Sequence, residues 1–221
     1  MERIYLDKEH VVDYISESMN SFIQDCVIVN DAKYHHNSDY TSAVSILKNN
    51  ILSLDEMNRQ RVKRFSSDFL NVMDDRDSHV NGSDGISLAV VGLTDLGKDE
   101  LEYDPYSSYH VDFVIDSEVK AYRSSIHYGN EYIANEMIPI DMIRSVDVRL
   151  SKYIDMLINK GKSLDDESIF KLVQKYNCIR NIAMLMIEDG IDIPLREMSY
   201  NNCSALDIEM VASSPKLVLK S

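Results

Sequence analysis

The stretch KYHHNSDYTSAVSILKNNIL, residues 33–52, decides how the first two-thirds of the chain is read. Its opening is extended in character, with Tyr34, His35 and His36 running into the turn-forming residues Asn37, Ser38 and Asp39. The period then changes. Ala43, Val44, Ile46 and Leu47 fall on one side of a helix over 41–50, which Asp39 or Thr41 can cap and Asn49-Asn50 can stop. A strand therefore feeds straight into a helix. Successive side chains of a strand point to opposite faces, so at most one of His35 and His36 can face a given pocket. A histidine at a strand end can meet a ligand hydroxyl or amide through either ring nitrogen.

Upstream, residues 9–25 repeat Val11, Val12, Ile15, Met19, Phe22 and Ile23 at helical spacing, and CVIVN (26–30) reads as a short buried strand ending at the turn signal Asn30-Asp31. Downstream, residues 55–73 read as a helix carrying the basic cluster Arg59, Arg61, Lys63 and Arg64. A polar loop at 74–85 leads to the strand GISLAVVGL (85–93), and a second loop at 96–109 leads to VDFVID (111–116), the cleanest strand in the chain. Residues 130–150 read as a strand, a turn at Pro139 and a further strand or helix start. Short strands between irregular loops, with helices early in the chain, predict an α+β domain over 1–148.

After 148 the texture changes. KYIDMLINKG (152–161) is a short amphipathic helix. A long helix follows, capped by Ser163 or Asp165 and stopped by Gly190; its apolar face is Ile169, Leu172, Val173, Tyr176, Ile179, Ile182, Ala183 and Met186. The tail holds a Pro-bounded extended piece and one more helical turn. Residues 149–221 are thus expected to form a helical C-terminal segment packed on the first domain.

Composition narrows the function. The chain has 221 residues and a formal net charge of −14, which disfavours a nucleic-acid partner unless the basic cluster overrides it. No apolar run reaches the roughly 20 residues of a membrane span, and the N-terminus lacks the pattern of a secretory signal. The three cysteines, Cys26, Cys178 and Cys203, are widely spaced and odd in number; a reduced cytoplasmic setting without zinc is expected. The seven glycines form no phosphate-binding loop, and no GxSxG, HExxH or calcium-loop motif occurs.

Three segments carry candidate chemistry. The first holds Tyr34, His35, His36, Asn37 and Ser38. The second holds Ser87, near the start of an apolar strand. In the third, Glu131 and Glu136 lie in or beside an apolar strand; carboxylates are seldom buried there unless paired or working.

In order and spacing, residues 33–148 resemble the ADP-ribosyltransferase superfamily. The matching pieces are Tyr34-His35-His36-Asn37-Ser38 followed by Ile46-Leu47, then Ser87-Leu88-Ala89, then Glu131-Tyr132-Ile133, Ile138-Pro139 and Ile143-Arg144-Ser145-Val146-Asp147-Val148. The nearest flavour is that of DNA-modifying transferase toxins and related phage-encoded domains. Asn37 or Ser38 stands where the family often has Thr, and Ala89 where it often has a hydroxyl. The family's middle tyrosine could be Tyr103, Tyr106 or Tyr109.

That resemblance implies a split β-sandwich with flanking helices, and NAD as a substrate with no metal. It implies that Glu131, with Glu136 as the alternative, stabilises the ribose cation and can orient the acceptor. His36 is the preferred histidine, because His36-Asn37-Ser38 reproduces His-x-Ser; His35 is the alternative. NAD would be held by Tyr34, His35, His36, Asn37, Ser38 and Ser87, with Arg59 or Arg61 on the pyrophosphate. The acceptor, protein or nucleic acid, is not specified, and water would make the protein an NAD hydrolase. Two other readings compete: a non-catalytic acidic module that binds a basic protein, and a nuclease or phosphodiesterase.

Overall fold

A computed structural model describes residues 2–25, 29–38, 40–61, 85–90, 111–123, 131–159, 165–198 and 203–220. Its elements in chain order are β1 (Arg3–Leu6), α1 (Lys8–Phe22), β2 (Ile23–Gln24), β3 (Ala32–Ser38), α2 (Tyr40–Asn49), α3 (Leu54–Gln60), β4 (Ile86–Ala89), β5 (Val111–Asp116), β6 (Tyr122–Arg123) and β7 (Glu131–Ala134). A 3-10 turn (Ile140–Met142) then leads into β8 (Ile143–Val148), α4 (Leu150–Asn159), α5 (Asp166–Glu188), β9 (Leu195–Met198), β10 (Cys203–Leu206), α6 (Ile208–Ser213) and β11 (Lys216–Leu219). The chain is α+β. It groups into two compact units, Val29–Ser145 and Met1–Ile28 with Val146–Ser221. The second break lies close to the sequence-based division at 148/149, but the first 28 residues group with the C-terminal part.

In the unit Val29–Ser145 the strand order is β5-β3-β4-β7-β6, antiparallel throughout. Val111, Phe113, Val114 and Ile115 of β5 are buried on both faces, which is why VDFVID reads so clearly as a strand. A bulge between Ala32 and Tyr34 resets the pairing of β3 with β5; from Tyr34 to Ser38 the register is regular. Two non-glycine residues with positive φ close the edges of this frame. Asp31 (φ 59) turns into β3, and its carbonyl accepts from the Ser117 amide at 2.7 Å. Asn50 (φ 71) ends α2, and its side-chain oxygen accepts from the Ile140 amide at 3.1 Å. Just beyond, Ile51 and Ile138 exchange two backbone hydrogen bonds of 3.0 Å. These contacts tie the chain after α2 to the chain after β7. Helix α3 ends at Arg61 in the left-handed conformation (φ 56); the rest of the helix expected over 55–73 lies outside the described residues, as does most of the strand expected over 26–30.

The other unit is organised by α5. All eight residues of its expected apolar face are buried, and Asp165 caps it by accepting from the Ser168 amide at 2.6 Å. Each of its buried Ile, Leu, Val and Met side chains contributes about 1.5–3 kcal/mol of burial. Helices α1, α4 and α6 and strand β11 pack against α5. Strands β2, β10, β9 and β8 lie side by side in that order, with β8 and β9 parallel and the other two pairings antiparallel, and β1 pairs parallel with β11. The sequence points to one extended piece in the helical C-terminal segment; the structure has three strands there, β9, β10 and β11. Strands β9, β10 and β11 are only four residues each, and their pairing partners include β1 and β2, far away in sequence. Such short strands leave little periodicity to read.

Candidate functional site

The regular register of β3 separates its residues into two sets. Tyr34, His36 and Ser38 face one side of the sheet, with Ile115, Phe113 and Val111 opposite them on β5. Tyr34, Ser38 and all three β5 residues are buried, so this is a core side. His35 and Asn37 face the other side, opposite Val114 and Asp112. The next strands continue this second row: His35 stands opposite Ala89 on β4, and Ala89 stands opposite Glu131 on β7. Two strand spacings separate the His35 and Glu131 backbones, about 10 Å. The alternation of the strand thus puts Glu131 in the register row of His35, while His36 belongs to the other row.

The two histidines are held differently. His35 Nδ1 lies 2.8 Å from Asp112 Oδ2, with the imidazole 17 % and the carboxylate 4 % exposed. An ionised carboxylate can only accept, so Nδ1 carries the proton in this contact. His36 Nδ1 lies 3.0 Å from the Ser87 carbonyl and must donate to it. Burial lowers the His36 pKa below the ordinary imidazole value of 6.5; the Ser87 carbonyl and the Asp112 charge act in the opposite direction. His36 is therefore a mainly neutral ring clamping β3 to β4, and His35 is the histidine joined to a buried acid.

Around this row the other candidates separate. The Ser87 side chain is exposed at its position on β4, and it is the Ser87 carbonyl that meets His36. Ser38 is buried. Asn37 stands opposite Asp112, and its Oδ1 is buried without a hydrogen-bond partner among the described residues. Tyr34 packs against Tyr132, with ring centroids 5.5 Å apart, and the Lys33 ammonium lies over both rings. Glu136 sits in an exposed bend beyond β7. Arg59 pairs with Glu56 one turn earlier on α3, and Arg61 is the exposed C-cap of that helix. Among the described residues, no hydrogen bond or ion pair joins either arginine to the histidine row. Tyr103, Tyr106, Tyr109, Lys63 and Arg64 lie outside the described residues, as does Cys26.

Asp112 is the functional candidate that sequence reasoning missed. VDFVID reads as a buried strand, yet an Asp between Val111 and Phe113 contradicts a purely structural apolar strand. That contradiction is the signal that could have found it. Asp116, the second carboxylate of the strand, serves the architecture. Its Oδ1 accepts from the Glu118 amide at 2.7 Å, and it pairs with Arg144. Among the described residues, no group of three or more His, Cys, Asp or Glu side chains is placed to hold a metal ion.

The row as a whole offers an imidazole hydrogen-bonded to a carboxylate, an amide beside it, and a glutamate position two strands away. No family model matches the chain, and neither a curated protein nor a solved structure does.

Proposed function

We propose that the protein is an NAD-dependent ADP-ribosyltransferase, or an NAD hydrolase of the same class, with a split β-sandwich of that superfamily over the residues that resemble it. The observation that carries the reading is the register row His35–Ala89–Glu131 across β3, β4 and β7. Strand, helix, serine strand and glutamate strand occur in the order the resemblance requires, and pairing brings the histidine strand and the glutamate strand to either side of β4.

In this reading the bond between nicotinamide and ribose breaks with positive charge building on the ribose. The Glu131 carboxylate stabilises that charge and accepts a proton from the incoming acceptor. His35, rather than His36, is the imidazole that meets the nucleotide, because it shares the Glu131 row. His36 holds β4 in place from the other row. Asn37 and Ser87 contribute polar groups at the edges of the site. The acceptor is a macromolecule, with a basic protein favoured over nucleic acid by the net charge of −14.

The test is NAD turnover by purified protein with labelled NAD and a cell lysate, comparing wild type with Glu131→Gln. Wild type is expected to release nicotinamide or transfer label, and Glu131→Gln to lose about 100-fold or more with its circular dichroism unchanged. Wild type that neither binds nor turns over NAD would overturn the reading in favour of a non-catalytic acidic binding module.

A further inference from the structure

Asp112 has a place in the fold that packing does not explain. It interrupts an apolar strand and is 3 % exposed. A carboxylate is seldom buried so deeply unless something compensates its charge. Its Oδ2 meets His35 at 2.8 Å, and its Oδ1 is buried without a hydrogen-bond partner among the described residues. The residue opposite, Asn37, presents a second unpartnered acceptor, Oδ1, so it does not relieve the charge.

Two other charged groups on these strands are engaged elsewhere. Asp116 pairs with Arg144, and the Lys33 ammonium lies over Tyr34 and Tyr132. Glu131 stands two strands away, at the far end of the row. The Asp112 charge also acts on His36, but that ring donates to the Ser87 carbonyl, so among the described residues the group that meets the Asp112 carboxylate is His35.

Asp147 makes an instructive contrast. It is about as buried as Asp112, but Arg196 meets both its oxygens at 2.7 Å. A guanidinium carries a permanent charge in a fixed fork; an imidazole carries one or two protons. For architecture alone, the arrangement at Asp147 is the sounder one. Among the described residues the pairing at Asp112 leaves Oδ1 without a partner and joins Oδ2 to a ring that can carry one or two protons.

We infer that Asp112 is a positioning residue acting through His35: its carboxylate fixes Nδ1 as a donor and holds the ring doubly protonated, so that the Nε2–H meets an acceptor oxygen of an anionic nucleotide. The role of that nucleotide rests on the NAD reading above; the control of the ring by Asp112 does not. His35 then keeps its second proton to a higher pH than an ordinary imidazole. NAD affinity in turn falls as pH rises through the His35 titration, because the donor and its charge are lost together.

The experiment is a pH titration of the ring nitrogens by long-range proton–nitrogen correlation NMR on ¹⁵N-histidine-labelled protein. His35 signals are assigned with His35→Gln, and Asp112→Asn is the near-isosteric variant. The wild-type ring is expected to be doubly protonated at neutral pH. In Asp112→Asn its midpoint should drop by about one pH unit or more, equivalent to about tenfold in proton affinity. Titration calorimetry with NAD should show the affinity loss moving to lower pH by the same amount. An unchanged His35 midpoint in a folded Asp112→Asn protein would overturn the proposal. Should that variant not fold, the wild-type titration decides: a His35 ring that is singly protonated at neutral pH overturns it equally. If the ring behaves as expected but NAD does not bind, the NAD reading fails and the positioning role stands. If NAD is turned over while the His35 ring is indifferent to Asp112, the positioning role fails and the NAD reading stands.

Discussion

His35 and His36 are adjacent in the chain and chemically alike, yet a strand gives neighbours opposite surroundings. His35 compensates a buried carboxylate; His36 donates to a backbone carbonyl and is kept neutral by burial. The difference predicts unequal energetic coupling. Removing His35 takes away the compensating partner of the buried Asp112, so His35→Ala should destabilise the protein by about 2–3 kcal/mol. Removing the charge as well should recover part of this, and the double variant His35→Ala, Asp112→Asn should be more stable than the sum of the single changes by about 1 kcal/mol or more. Urea unfolding of the four proteins measures the coupling; strict additivity would mean that the pair does not interact. Part of this site is legible from residue types. The His-His pair on one strand, the Ser87 strand and the Glu131 strand are all visible in order. What the sequence does not supply is register. Nothing local says that Ala89 stands between His35 and Glu131, and that relation decides which histidine shares the glutamate row. A preference for His36 rests on spacing along the chain, where the two candidates differ by a single residue.

Among the elements, those specified by their own periodicity read most clearly. The apolar stripe of α5 repeats over 23 residues, and both its ends carry local signals. Asp165 accepts from the Ser168 amide, and Gly190 adopts φ +64 just past the last turn. Each signal makes a prediction. Asp165→Ala should cost about 1 kcal/mol, the usual value for losing an N-cap. Gly190→Ala should cost about 1–2 kcal/mol for a different reason. A Cβ there would meet nothing within 4 Å, so the penalty is backbone strain alone, and Gly190→Asn should cost less than Gly190→Ala. Chemical denaturation distinguishes these cases; equal costs for Ala and Asn would argue that the left-handed turn is not what the glycine supplies. Strands β1, β9, β10 and β11 carry no comparable signal. Each has four residues, and β1 with β11 joins Arg3–Leu6 to Lys216–Leu219 across almost the whole chain. A pairing of that range is set by tertiary contacts, which leave no repeat in the sequence of either strand.

Across the whole molecule, a buried carboxyl and a half-buried imidazole respond to pH with opposite signs, one in each compact unit. Glu197 on β9 is 3 % exposed and accepts from the Leu150 and Ser151 amides at 3.3 and 2.8 Å, so it caps α4. Burial raises its carboxyl from 4.5 to about 7, although the amides, the Ser151 hydroxyl and Arg149 all favour the charged form. A carboxyl whose folded value is raised binds its proton more tightly in the folded than in the unfolded chain. Its contribution is complete below pH 4.5 and is lost as pH rises through about 7. The loss amounts to up to about 3 kcal/mol. For His36 the folded value is lowered, so the unfolded chain binds the proton more tightly. Its contribution is complete above the ordinary value of 6.5 and is lost as pH falls from there through the lowered folded value. Through Glu197, rising pH therefore weakens the unit Met1–Ile28 with Val146–Ser221; through His36, falling pH weakens the unit Val29–Ser145, where a doubly protonated His35 acts in the opposite direction. Segment-resolved hydrogen exchange in urea at pH 5 and pH 8 can follow each unit separately. Wild type should open the Glu197 unit at lower urea at pH 8 than at pH 5, and Glu197→Gln should remove most of that difference without altering the other unit. His36→Gln should make the Val29–Ser145 unit less sensitive to acid and leave the alkaline response of the Glu197 unit intact. A Glu197→Gln protein that kept the full wild-type difference would show that the α4 cap is ionised in the fold throughout this range, with its two amides outweighing the cost of burying the charge.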